Sequence, residues 1–200
     1  MMYKTADPVN LRIAVVDRDP ERAAIILDGL RDAGMQDVTV ISDDAGLARR
    51  LAALAPDVVL IDLEDPSRDI LEHLTLAASP MERTVAMFVD QSDEVAMRAA
   101  IEAGVSAYVV AGLTRARIQP VLAAAVTRFH MVARLRAELA ATKAALEERK
   151  TVDRAKGMLM KARGLSEEEA YALLRKTAMS QGRKVADIAQ ALITAADLLK

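Results

Sequence analysis

Five short apolar runs, rich in β-branched residues and each followed by room for a helix, govern what the first half of this chain can become. They are LRIAVV (11–16), VTVI (38–41), DVVLI (57–61), TVAMFV (84–89) and SAYVV (106–110). A strand buried on both faces needs this near-continuous apolarity, whereas a half-exposed strand would alternate. Helix-like segments fall between them, around 20–33, 44–54, 67–79 and 92–103, and Gly34 and Gly104 close the first and the last. Strands joined through helices run parallel. The expectation is therefore an α/β fold, a doubly wound five-stranded parallel sheet with its ligand chemistry at the carboxyl ends of the strands.

After Leu113 the strand signals stop and the remainder reads as helix. Pro120 cannot donate an intrahelical hydrogen bond, so it is expected to kink or reset the first turns. Val132, Leu135, Leu139, Thr142 and Leu146 follow 3-4-3-4 spacing, a short coiled-coil seam for a second copy of the chain. The bland alternative is that these residues pack on the chain's own domains. Gly164 ends the long helix, and Ser166 with Glu169 writes a capping box for the next. Gly182 ends that one, and Val185, Ile188, Ala189, Leu192, Ile193 and Ala196 line one face of a last helix. The predicted organisation is a sheet domain over 1–130, a coiled-coil linker helix over 131–148 and a small three-helix all-α domain over 149–200.

Composition removes several classes of function. Without cysteine there is no disulfide framework, thiol catalysis or cysteine-bound zinc. His73 and His130 have no partners at ligand spacing, so neither a metal nor a cofactor is expected. No apolar stretch approaches ~20 uninterrupted residues, and the opening MMYKTADPVN has no basic start before an apolar run. A cytoplasmic chain with no membrane contact is the expectation. The net charge of −2 conceals a reversal. Residues 1–112 carry −10, residues 113–148 carry +3 and residues 149–200 carry +5. The basic end suits a polyanion.

The acidic half resembles the receiver domain of response regulators over residues 11 to about 130. VVDRDPER (15–22) matches the acidic turn after the first strand, VVLIDLEDPS (58–67) the phosphoacceptor turn after the third, with Asp62 as acceptor and Pro66 at the receiver proline. GVSAYVV (104–110) leads into the fifth strand. Phosphotransfer there requires acids for Mg²⁺, a nucleophilic aspartate, a lysine and a hydroxyl. Asp17 and Asp62 remain, but the resemblance puts Arg18 where the second acid belongs, Val89 at the hydroxyl and Ala111 at the lysine. This is a degenerate pocket. Arg18 is expected to pair with Asp62 as an internal cation, leaving a docking platform read by another protein.

Residues 143–198 resemble an ANTAR domain, the RNA-binding module of the AmiR/NasT-type transcription antiterminators, and the likeness is greatest to the nitrate-responsive members. It rests on Asp153-Arg154-Ala155-Lys156-Gly157, Leu159-Met160, Glu168-Glu169-Ala170-Tyr171, Leu174-Arg175 and Ala178-Met179. The resemblance implies binding to paired hairpins in a leader mRNA, activity as a homodimer, and control by a nitrate- or nitrite-sensing partner protein.

The residues also make sense without it. Candidate RNA contacts are Arg154, Lys156, Gly157, Lys161, Arg175, Arg183 and Lys184. Arginines would read unpaired bases, and lysines would neutralise phosphate. Gly157 inside a helix costs ~1 kcal/mol against alanine, which invites either close approach of RNA or backbone or tight helix packing. Tyr171, beside Ala170 and Leu174, is expected in the core. A DNA-binding regulator is disfavoured, because after Lys184 the last helix carries only Asp187 and Asp197 before the terminal lysine. A protein adaptor is a further alternative. An enzyme fits least, since no nucleophile–base pair or phosphate-cradling loop appears.

Overall fold

The computed structural model describes residues 11–43, 45–64 and 68–198. The element order is β1 (Ile13–Val16), α1 (Pro20–Asp32), β2 (Val38–Ile41), α2 (Leu47–Leu54), β3 (Val58–Leu63), α3 (Arg68–Ala78), β4 (Thr84–Val89), α4 (Glu94–Glu102), β5 (Ala107–Val110), α5 (Arg115–Arg163), α6 (Glu167–Gln181) and α7 (Val185–Leu198). The chain divides into two compact units, one up to Ala133 and one from Arg134.

All five strands are parallel, in the order β2-β1-β3-β4-β5. Because side chains alternate across a strand, the apolar runs feed two separate cores. Val16, Val59, Ile61, Val85 and Met87 face one layer, closed by Leu47 and Leu51 of α2 and Leu71 and Leu74 of α3. Ile13, Val15, Leu60 and Phe88 face the other, closed by Ile26 and Leu30 of α1 and Ile118 and Leu122 of α5. Burial of both faces explains why the strand segments could not alternate with polar residues.

The helix ends follow local chemistry. Asp19 caps α1 by accepting the Glu21 N–H, with Pro20 at the first helical position. At α6 the Ser166 hydroxyl accepts from the Glu169 N–H and the Glu169 carboxylate accepts from the Ser166 N–H, the full capping box. That bonding holds the Glu169 carboxyl below its ordinary range. Gly164 and Gly182 take the left-handed conformation that ends α5 and α6.

Helix α5 continues through Pro120; the proline lies close enough to the start that only one early-turn hydrogen bond is forfeited. The seam leucines stand largely in the open. Leu135, Leu139 and Leu146 are 57%, 55% and 52% exposed, and Val132 is half-buried. No helix among the described residues is long and apolar enough to cross a membrane.

Candidate nucleic-acid interface and receiver-like cleft

Two sites merit construction from their side chains, one in each unit. In the first, the carboxyl ends of β1 and β3 bring Asp17 and Asp62 to one cleft, with Arg18, Asp19, Arg22 and Asp43 on its walls. Both acids are buried. The cation that closes on Asp62 is Arg22 rather than the expected Arg18, which lines the same cleft. Arg22 Nε and Nη2 donate to the two Asp62 oxygens at 2.5 and 2.8 Å, and Nη1 donates to Asp90 at 2.6 Å. The reason is positional. Asp19 and Pro20 start α1, so Arg22 stands in its first turn and reaches back over the sheet edge, whereas residue 18 precedes the cap.

Asp17 is held by one Asp19 N–H at 2.9 Å, and its other oxygen is buried without a partner. Burial, with the neighbouring Asp62 charge adding to it, pushes its carboxyl up to about 6. The two hydrogen-bonded carboxylates move Arg22 upward. Val89 is fully buried at the end of β4. Ala111 sits at φ +49° and donates its N–H to the Val89 carbonyl at 2.7 Å. Pro66 lies outside the described residues. A Mg²⁺ ion does not fit these groups as arranged, since Arg22 occupies both Asp62 oxygens.

The second site is a groove where the C-terminal part of α5 meets α6 and the start of α7. The packing that makes it is small. Ala155 and Leu159 of α5, Ala170, Leu174 and Ala178 of α6, and Ile188, Ala189 and Ile193 of α7 form the core. Four buried alanines let the helices approach closely and leave the longer side chains to rim a concave face.

Five cations line that face, Arg149, Lys156, Arg175, Arg183 and Lys184, against two carboxylates, Glu148 and Asp153. Lys156 is held between Asp153 and Glu167, at 2.7 Å from each, and these partners raise its ammonium while Lys156 lowers Asp153. Arg175 and Arg183 make no ion pair among the described residues.

The groove therefore gathers Lys156, Arg175, Arg183 and Lys184 from the expected set. Arg154 lies elsewhere, pairing with Asp197 of α7 at 3.2 Å, and Lys161 is exposed but does not line the groove. A Cβ built on Gly157 would meet nothing within 4 Å. Tight packing is thus not the reason for this glycine.

Sequence reasoning missed three groove residues. Arg149 is signalled by its i, i+7 spacing to Lys156 on one face of α5. Tyr171, expected in the core, is 45% exposed, and Met179 is 74% exposed. The signal for both was the i, i+4, i+8 row Tyr171, Arg175, Met179, one position away from the buried row Ala170, Leu174, Ala178.

Residues 140–193, which contain this groove and most of its core, match the family model for the ANTAR domain. The chain carries an ANTAR domain. With the receiver-like sheet in front of it, the make-up is that of the AmiR/NasT-type regulators. Among relatives, the transcriptional regulatory protein PdtaR of Mycobacterium tuberculosis is 27% identical over 164 residues, 82% of this chain and 80% of PdtaR. The nitrate regulatory protein of Klebsiella oxytoca is 45% identical over 65 residues, 32% of this chain but 16% of that protein. The sheet unit resembles solved structures in fold. A pilus assembly-related protein from Burkholderia pseudomallei, 21% identical, gives a TM-score of 0.51 over 62% of this chain and 96% of its own. The signal receiver domain of a Luxo repressor protein from Vibrio parahaemolyticus, 14% identical, gives 0.50 over 63% and 97%.

Proposed function

We propose that this chain is a transcription antitermination regulator whose ANTAR domain binds paired hairpins in leader mRNA. The observation that carries the reading is the α5–α6–α7 groove, in which five cations face two carboxylates and two arginines make no ion pair among the described residues. Such a surface releases counterions from a polyanion, and its guanidinium groups can read unpaired bases as well as phosphate. The last helix, with Asp187 and Asp197 as its only charged side chains between Lys184 and Lys200, offers a DNA major groove little. The relatives named above are described as regulators rather than enzymes, which agrees with a binding role.

In this reading the receiver-like unit is a docking platform for a partner protein and not a phosphoacceptor, because Arg22 already supplies Asp62 with a counterion. The nitrate regulatory protein, similar over 65 residues, supports nitrate or nitrite assimilation genes as the targets and a nitrate- or nitrite-sensing protein as the partner. The exposed seam of α5 supports a homodimer, whose two ANTAR domains would hold two hairpins and keep a terminator from forming.

The test is direct. The full chain should bind a two-hairpin leader RNA with an affinity that falls steeply with salt, and should bind duplex DNA of the same sequence far more weakly. Equal affinity for the duplex, or salt-independent binding, would point to the DNA-binding or adaptor reading instead.

A further inference from the structure

We propose that Tyr171, with Arg175 beside it, is a stacking shelf for one unpaired purine of an RNA loop. The inference rests on the RNA-binding reading and adds to it the part of the ligand that this face takes.

Tyr171 is the only aromatic residue from Arg134 onward. The core of the ANTAR unit closes without it, on Ala170, Leu174 and Ala178 of the same helix. The residue is 45% exposed and lines the groove, and its hydroxyl makes no hydrogen bond among the described residues. One turn along the same row stands Arg175, and one turn further Met179, 74% exposed. A ring, a guanidinium plane and a polarisable thioether follow each other along one helix face. Arg149, Arg183 and Lys184 line the same groove, where they would meet a phosphate backbone.

Three features favour an unpaired base over other ligands. A duplex buries its base faces, so an exposed ring has nothing to stack on until a base is splayed out. The groove's cations suit a ligand carrying phosphate next to that base. An acidic peptide would satisfy the cations and leave the ring and thioether unused. A purine is favoured over a pyrimidine because two fused rings overlap more of Tyr171, and the N7 and O6 acceptors of guanine in particular suit the paired donors of a guanidinium such as Arg175.

The experiment uses the full chain and a two-hairpin leader RNA carrying 2-aminopurine at one loop position at a time. At one position, binding of the unsubstituted chain should quench the 2-aminopurine fluorescence through stacking. Tyr171→Phe should keep both the quench and the affinity. Tyr171→Ala should lose the quench and weaken binding about 5- to 150-fold. Its salt slope should be unchanged, because no phosphate contact is removed, and its binding to the same stems closed by abasic loops should equal that of the unsubstituted chain. Equal loop affinity for Tyr171→Ala and the unsubstituted chain would overturn the shelf while leaving RNA binding intact. So would a Phe variant as weak as the Ala variant, which would make the hydroxyl the contact. A chain that binds no hairpin RNA at all would overturn the shelf together with the RNA reading.

Discussion

At Asp17 a single carboxyl carries a measurable signature of the cleft. Its carboxyl titrates near 3.8 in a freely solvated chain and is pushed up to about 6 in the fold. Between those values the folded chain holds a proton that the unfolded chain has lost, so this residue lowers stability as pH rises through that window. The penalty is absent below about pH 4 and complete above about pH 6. Asp17→Asn removes it, and any fixed cost of the buried amide shifts the whole curve without changing its shape. Urea unfolding of both chains at a series of pH values should therefore show the variant gaining on the unsubstituted chain between about pH 4 and 6 and running parallel above. A difference that stays flat across that range would show the carboxyl to be well solvated. Val89 and Ala111 were placed by counting from strand ends, and both do stand there, Val89 closing β4 and Ala111 following β5. Arg22 was not. Its role depends on a side chain reaching back from the first turn of α1 to two strand ends, Asp62 and Asp90, distant in sequence. Tyr171 was missed for a related reason, since two neighbouring rows of α6 both look apolar until one of them is seen to make the core.

Most helix boundaries were legible because caps are short-range chemistry. The Ser166–Glu169 box and the left-handed Gly164 and Gly182 each act within a turn. Pro120 lies inside α5 without ending it. The cost of an early proline is a single hydrogen bond, and Ile118 and Leu122, fully buried on either side of it, hold the helix through that point. The middle of α5 raises the opposite problem, apolar residues that the fold leaves uncovered. Three leucines half or more exposed over about three turns of helix are what a two-stranded seam needs. Leu139→Lys with Leu146→Lys in the full chain should abolish self-association in sedimentation while circular dichroism stays unchanged. A dimer that survives both substitutions would mean that copies meet through another surface.

Across the whole molecule, an acidic unit in whose cleft Arg22 closes on Asp62 precedes a basic unit whose groove is lined by five cations. Incubation with acetyl phosphate and Mg²⁺ should leave Asp62 unmodified by mass spectrometry, and Asp62→Asn should not change affinity for hairpin RNA. A stable phospho-aspartate that strengthens RNA binding would restore the response-regulator reading, which the retained Asp17 and Asp62 favour. The parallel sheet and its strand segments were readable at this scale because both faces of every central strand are buried. The identity of a docking partner was not, since nothing local in sequence marks which face of a sheet domain another protein uses. One feature of the architecture reaches beyond this protein. Ile118, Leu122 and Ala125 complete the sheet's second core, and Ala155 and Leu159 of the very same helix complete the small bundle. Neither half owns α5. Recombination that trades one partner domain for another, in nature or at the bench, must therefore splice within the stretch between Val126 and Val152 that neither core uses. A splice at either end of the helix would hand one domain a wall that belongs to the other.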